Sequence, residues 1–76
     1  MELQEFISNF ADQFEDTDAS EITKNTIFKD LDEWSSLLAL SVSAMAEEEY
    51  GVSFKGDDIR NASTVEDLYM ILKNKL

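Results

Sequence analysis

The chain reads as an all-α protein, a small four-helix bundle of three main helices plus one short helix, with a long loop between the first two. Three observations carry this expectation. Apolar residues recur at three- and four-residue spacing in three separate stretches, no stretch of useful length alternates apolar with polar residues, and turn or capping residues bound the helical stretches. The 76 residues contain no internal repeat and no low-complexity segment, and they leave room for a single domain over 1–76. A chain of this size buries only about 60% of the surface its unfolded form exposes, so its stability should be modest.

The first helix is expected over 2–15, where Leu3, Phe6, Ile7, Phe10 and Phe14 form a wide aromatic stripe opposite Glu2, Glu5, Asn9, Asp12 and Gln13. Such spacing belongs to core packing. Residues 16–34 lose the period and open with the turn formers Asp16-Thr17-Asp18-Ala19-Ser20. Loops this long are usually functional or pinned by their own apolar residues, here Ile22, Ile27, Phe28 and Leu31, with one short helical turn near Phe28 to Leu31.

The second helix is expected over 36–50, with a serine at its cap and Gly51 suited to the left-handed position that ends it. It carries two apolar stripes: Leu37, Leu40 and Ala44 on one, Val42, Ala46 and Tyr50 on the other. One stripe can enter the core while the other stays near the surface. Val52, Phe54 and Ile59 anchor the connection that follows, and Gly56-Asp57-Asp58 starts a short helical turn. The last helix is placed at 64–75. Ser63-Thr64-Val65-Glu66 has the spacing of a capping box, Val65, Leu68, Tyr69 and Leu72 follow at helical intervals, and Lys73 and Lys75 suit the negative end of the dipole.

Charge excludes some function classes. Seventeen acidic residues against six basic ones give a formal net charge of −11, which repels nucleic acid and favours encounter with basic protein surfaces. The longest apolar run, Leu37-Leu38-Ala39-Leu40, is far too short for a membrane span, and Met1 to Glu5 has no basic leader region. With no cysteine there is no disulfide framework, and a cytoplasmic setting is expected.

With no histidine either, no Ser-His-Asp arrangement can be built, and Lys24 and Lys29 sit among carboxylates that favour their protonated forms. The chain is expected not to be an enzyme. Asp30, Asp32 and Glu33 read as a solvated acidic loop. An EF-hand loop beginning at Asp30 would need glycine and glutamate where Ser35 and Ser41 stand, so no metal site is assigned. Weak divalent binding at Asp16, Asp18, Glu47, Glu48 or Glu49 would only relieve repulsion. What remains is Trp34-Ser35-Ser36-Leu37 at the start of an amphipathic helix. A phosphate esterified to a serine there meets free backbone N–H groups and the positive dipole end, so Ser36 is better suited to attachment than to attack.

These residues, with Phe28-Lys29-Asp30-Leu31 before them and Glu47-Glu48-Glu49-Tyr50-Gly51 after them, resemble the acyl carrier protein family. In that family the serine of an Asp-Ser-Leu motif carries a 4′-phosphopantetheine arm. The resemblance covers nearly the whole chain, from the apolar first helix through Ile22-Thr23 to Ser63-Thr64-Val65-Glu66-Asp67-Leu68. It implies a carrier of acyl-carrier fold in which a phosphopantetheinyl transferase moves the arm from coenzyme A onto Ser36. Thioester-linked acyl groups of fatty-acid, polyketide or other specialised biosynthesis would then ride on the arm. The second helix is the family's partner-recognition element. Here that implies Leu37, Leu38, Leu40, Ser41, Ala44, Met45 and Glu48 as contacts for a loading ligase, acyltransferase or synthase with a basic docking surface, the carrier itself acting as a monomer. The family also lodges acyl chains between its helices, and Ala39, Ala44 and Ala46 would leave room for one, as they would for close helix packing.

The chain departs from the family pattern in four places. Ser35 replaces the usual aspartate, Trp34 stands just before it, the stretch from Leu31 to Ser36 is one residue longer than in the commonest form, and Ser41 falls where fatty-acid carriers tend to show glutamate. Together they imply weaker recognition by a general transferase and service to a dedicated enzyme. Trp34 is read as a half-buried aromatic pinning the loop. Two alternatives stay open: an acidic helical interaction module that is never modified, and an aminoacyl or D-alanyl carrier that shares the arm and differs in cargo.

Overall fold

The computed structural model describes residues 2–76 and is all-helical, with no strand among them. Helices α1 (Leu3–Ala11), α2 (Ser36–Tyr50), α3 (Gly56–Asn61) and α4 (Val65–Lys75) form the expected small bundle. Two 3-10 turns, Ala19–Glu21 and Phe28–Asp30, interrupt the long loop between α1 and α2.

The aromatic stripe of α1 is the spine of the core. Phe6 and Phe10 are fully buried, and Phe10 contacts Phe14 at 5.3 Å and Phe28 at 5.8 Å between ring centroids, while Phe6 meets Tyr69 of α4 at 5.8 Å. From the other helices Leu38, Val42, Met45 and Ala46 of α2 and Val65, Leu68, Tyr69 and Leu72 of α4 complete it. No polar or charged residue is buried among those described. The fold is therefore held by apolar burial, at roughly 1.5–3 kcal/mol for each large side chain taken out of water.

Helix α1 stops at Ala11, four residues before the expected end. Gln13 donates its backbone N–H to the Phe10 carbonyl at 3.2 Å and Phe14 to Ala11 at 3.0 Å, so the chain tightens into three-residue bonds. That tightening still turns Phe14 inward, where it is 7% exposed. In the loop, Ile22 and Phe28 are buried and Leu31 packs on the core, as expected, but Ile27 is half-exposed and anchors nothing. It precedes the second 3-10 turn, whose backbone directs Phe28 inward instead. The first turn was not anticipated: the Asp18 carboxylate accepts the Ser20 N–H at 2.9 Å and the Glu21 carboxylate accepts the Asp18 N–H at 3.3 Å, closing a capping box.

At α4 the cap lies one residue beyond the expected Ser63–Glu66 pair. The Thr64 hydroxyl accepts the Asp67 N–H at 3.1 Å, and the Asp67 carboxylate accepts the N–H groups of Ser63 and Thr64, both at 3.0 Å. Loop carbonyls satisfy two more amides of the first turn: Val65 donates to Thr26 at 3.2 Å and Glu66 to Lys24 at 3.0 Å. Helix α2 ends as expected at Gly51, whose φ of 69° is the only positive one among the described residues.

Candidate functional site

The two serines at the start of α2 have different surroundings. Ser35 is the N-cap: its backbone is extended, and its hydroxyl accepts the Leu38 N–H at 3.3 Å. Ser36 is the first helical residue. It is exposed, and its hydroxyl has no hydrogen-bond partner among the described residues. The cap expected of a serine here thus falls to Ser35, which leaves Ser36 Oγ free. No acidic residue stands in the first turn of α2, so the positive dipole end is not already answered by a carboxylate. A phosphate ester on Ser36 would sit where the N–H groups of the first turn and the dipole favour negative charge.

Beside Ser36 runs an open groove of about 410 Å³ between α2 and α3, lined by Ser36, Ala39, Leu40, Ser43, Phe54, Gly56 and Ile59. Of the three alanines expected to leave room for a chain, only Ala39 lines this groove. Ala46 is buried against the core and Ala44 is exposed on the opposite flank, next to α1.

The seven residues expected to meet a partner divide in the same way. Leu37 is 71% exposed and Leu40 68%, and Ala44 and Glu48 are also exposed. Ser41 is half-buried beside Gln13 of the α1–α2 connection. Leu38 and Met45, by contrast, point into the core at 8% and 6% exposure, because they lie on the same inward stripe as Val42. Those two serve the packing of the core, and each reaches the surface only at the wall of a cleft beside α1. The remaining surface is bordered by Asp12, Glu15 and Glu49, all acidic, while the carboxylate of nearby Glu33 is taken up by the loop after α1.

Trp34 packs as a loop-pinning residue, edge-on to Phe28 at 4.8 Å and stacked on Phe10 at 6.4 Å. Of the lysines considered as bases, Lys29 extends to the Arg60 carbonyl at 2.7 Å, closing the end of α3 rather than approaching Ser36. Among the described residues no group of three or more acidic side chains is placed to hold a metal ion, and no helix is long and apolar enough to cross a membrane. One role went unread in the sequence: Glu33, expected to be solvated, is hydrogen-bonded to three consecutive residues of the loop after α1. Nothing in the local pattern signals this, because the partners lie 16 to 18 residues away.

No curated protein and no solved structure gives a significant match to the chain. The family model described as a phosphopantetheine attachment site matches residues 4–70, from the start of α1 into α4. An exposed serine hydroxyl at a helix start suits the group that this family holds covalently, and the four-helix bundle suits its fold. The chain belongs to the phosphopantetheine attachment-site family and is a carrier of a 4′-phosphopantetheine prosthetic group.

Proposed function

We propose that Ser36 carries the arm and that the chain passes thioester-bound acyl groups between enzymes of fatty-acid, polyketide or another specialised acyl biosynthesis. One observation supports this above the others: of the two adjacent serines, Ser35 is committed to capping α2 while the Ser36 hydroxyl is exposed and unbonded. The bound arm ends in a thiol that forms thioesters, a group this cysteine-free chain lacks. Ser36 Oγ forms the new bond to the pantetheine-bearing phosphorus of coenzyme A as the bond from that phosphorus to the bridging pyrophosphate oxygen breaks, and adenosine 3′,5′-bisphosphate leaves. The Ser36 hydroxyl proton leaves to a base of the transferase, since no side chain among the described residues is hydrogen-bonded to that oxygen and the chain has no histidine. On this reading the chain itself catalyses nothing.

Leu37, Leu40, Ser41, Ala44 and Glu48 form the partner face, apolar at its centre and acidic at its edge. It suits a loading ligase, acyltransferase or synthase that presents basic side chains around an apolar contact. The α2–α3 groove beside Ser36 and Leu40 offers a resting place for the cargo. Coenzyme A supplies the arm, so this reading places the chain in the cytoplasm, working as a monomer. The test is intact mass after incubation with coenzyme A, Mg²⁺ and a phosphopantetheinyl transferase. The parent should gain one phosphopantetheine and Ser36→Ala none; a modified Ser36→Ala protein would refute the assignment.

A further inference from the structure

Glu33 makes more hydrogen bonds than any other side chain near the attachment site. Its Oε2 accepts the Glu15 backbone N–H at 2.7 Å. Its Oε1 accepts the backbone N–H groups of Asp16 at 3.0 Å and Thr17 at 2.9 Å, and the Thr17 hydroxyl at 2.9 Å. The cleft around it is also lined by Asp16, Glu21 and Asp32, so the carboxylate sits among like charges. Hydrogen bonds, that of the Glu15 N–H first and those of Thr17 and Asp16 after it, outweigh the loss of hydration and hold the carboxyl below its usual range.

The next residue is fixed from the other side. Trp34 donates its backbone N–H to the Leu31 carbonyl at 3.0 Å and packs its ring edge-on to Phe28 and stacked on Phe10 and Phe14. Two successive side chains thus tie the backbone to two different parts of the molecule, the loop leaving α1 and the aromatic core. Ser36 follows two residues later with no tether of its own beyond the helix it starts.

We propose that Glu33 is a positioning residue for arm attachment, holding the N-terminus of α2 so that the Ser36 hydroxyl is presented to the transferase in one place. The proposal rests on Ser36 being the attachment site. In-line displacement at phosphorus needs the attacking oxygen aligned, and a misplacement of about 1 Å can cost on the order of a hundredfold in rate. Freeing the segment before Ser36 should therefore slow the transfer itself and leave docking on the exposed α2 face unchanged.

The experiment compares arm transfer to the parent, Glu33→Ala, Glu33→Gln and Asp32→Asn, each well below its melting temperature. Glu33→Ala should lose about tenfold in kcat with KM little changed. Glu33→Gln should recover part of that loss, because its carbonyl can still accept from Asp16 and Thr17 while its amide cannot accept from Glu15. Asp32→Asn removes a charge from the same cleft without touching these bonds and should match the parent. A Glu33→Ala protein modified at the parent rate would overturn the proposal. So would Asp32→Asn falling as far as Glu33→Gln, which would mean that the transferase reads charge rather than position.

Trp34 is the only tryptophan, so quenching of its fluorescence by acrylamide gives a readout that needs no enzyme. Quenching should rise in Glu33→Ala while the helical circular dichroism is retained, and unchanged quenching would contradict the tether. A parent chain that gains no arm removes the Ser36 reading and this proposal with it. A parent that gains the arm at the same rate as Glu33→Ala removes this proposal alone.

Discussion

Ser35 and Ser36 have the same side chain one residue apart, and the helix start gives them opposite work. Ser35→Ala removes the hydroxyl that accepts the Leu38 N–H and should cost about 1 kcal/mol, read as a lower melting temperature, while arm attachment persists. Ser36→Ala should abolish attachment and change stability by no more than about 0.5 kcal/mol, since its exposed hydroxyl makes no bond. Paired hydroxyl residues are also where the sequence was hardest to read. Ser63 and Thr64 both stand three residues before a carboxylate, and only the backbone decides that Thr64 with Asp67 closes the box. In the same way, the choice of Ser36 over Ser35 came from family resemblance, and the cap bond that supports it is visible only in three dimensions. Glu33 marks the limit of local reading, because nothing in its own neighbourhood announces partners at residues 15–17.

Helix α2, about 22 Å long at 1.5 Å per residue, has apolar residues on two sides and shows why both stripes had to be considered. Leu38, Val42, Met45 and Ala46 enter the core, whereas Leu37 and Leu40 remain largely in solvent. Leu38→Ala should therefore cost about 2–4 kcal/mol by leaving a cavity. Leu37→Ala and Leu40→Ala should each stay within about 0.5 kcal/mol of the parent yet weaken complexes with the loading enzyme, measured by titration of holo-protein. If Leu38→Ala melts like the parent, the inward assignment is wrong. The stripes themselves were legible because helical periodicity is a direct imprint of burial. The end of α1 was not, because a switch to three-residue bonds keeps Phe14 facing inward and so preserves the apolar pattern across the boundary.

Across the molecule, a net charge of −11 meets few internal cations. The ion pairs among the described residues are Arg60 with Asp57 at 3.2 Å, which is exposed, and Lys75 with Asp58 at 3.1 Å. Exposed pairs of this kind contribute little. Self-repulsion should dominate the electrostatics, so the melting temperature should rise with added salt as charges are screened; a melting temperature indifferent to salt would count against this. Acid acts on particular carboxylates as well. Backbone N–H bonds hold Asp67 below its ordinary range, those of Thr64 first and Ser63 next, and the Lys55 N–H does the same for Asp58. A carboxyl lowered in the folded state adds stability that is complete above its unfolded value and is lost as pH falls through the folded one. The melting gap between the parent and Asp67→Asn should therefore be widest at neutral pH and close below about pH 4. The fold class was legible at this scale because three periodic stretches and their stops leave few other arrangements. The proposed partner face was not, since its position depends on which side of α2 the loop and α1 leave uncovered.

The central claim is that the first helical residue of α2 bears the arm, and it can be read from one peptide. Cleavage after Lys29 and Lys55 releases residues 30–55, which hold both Ser35 and Ser36. Fragmentation of that peptide from the transferase-treated parent should place the whole phosphopantetheine mass on Ser36, with Ser35 unmodified. An arm on Ser35, or on any residue outside the peptide, would contradict the account.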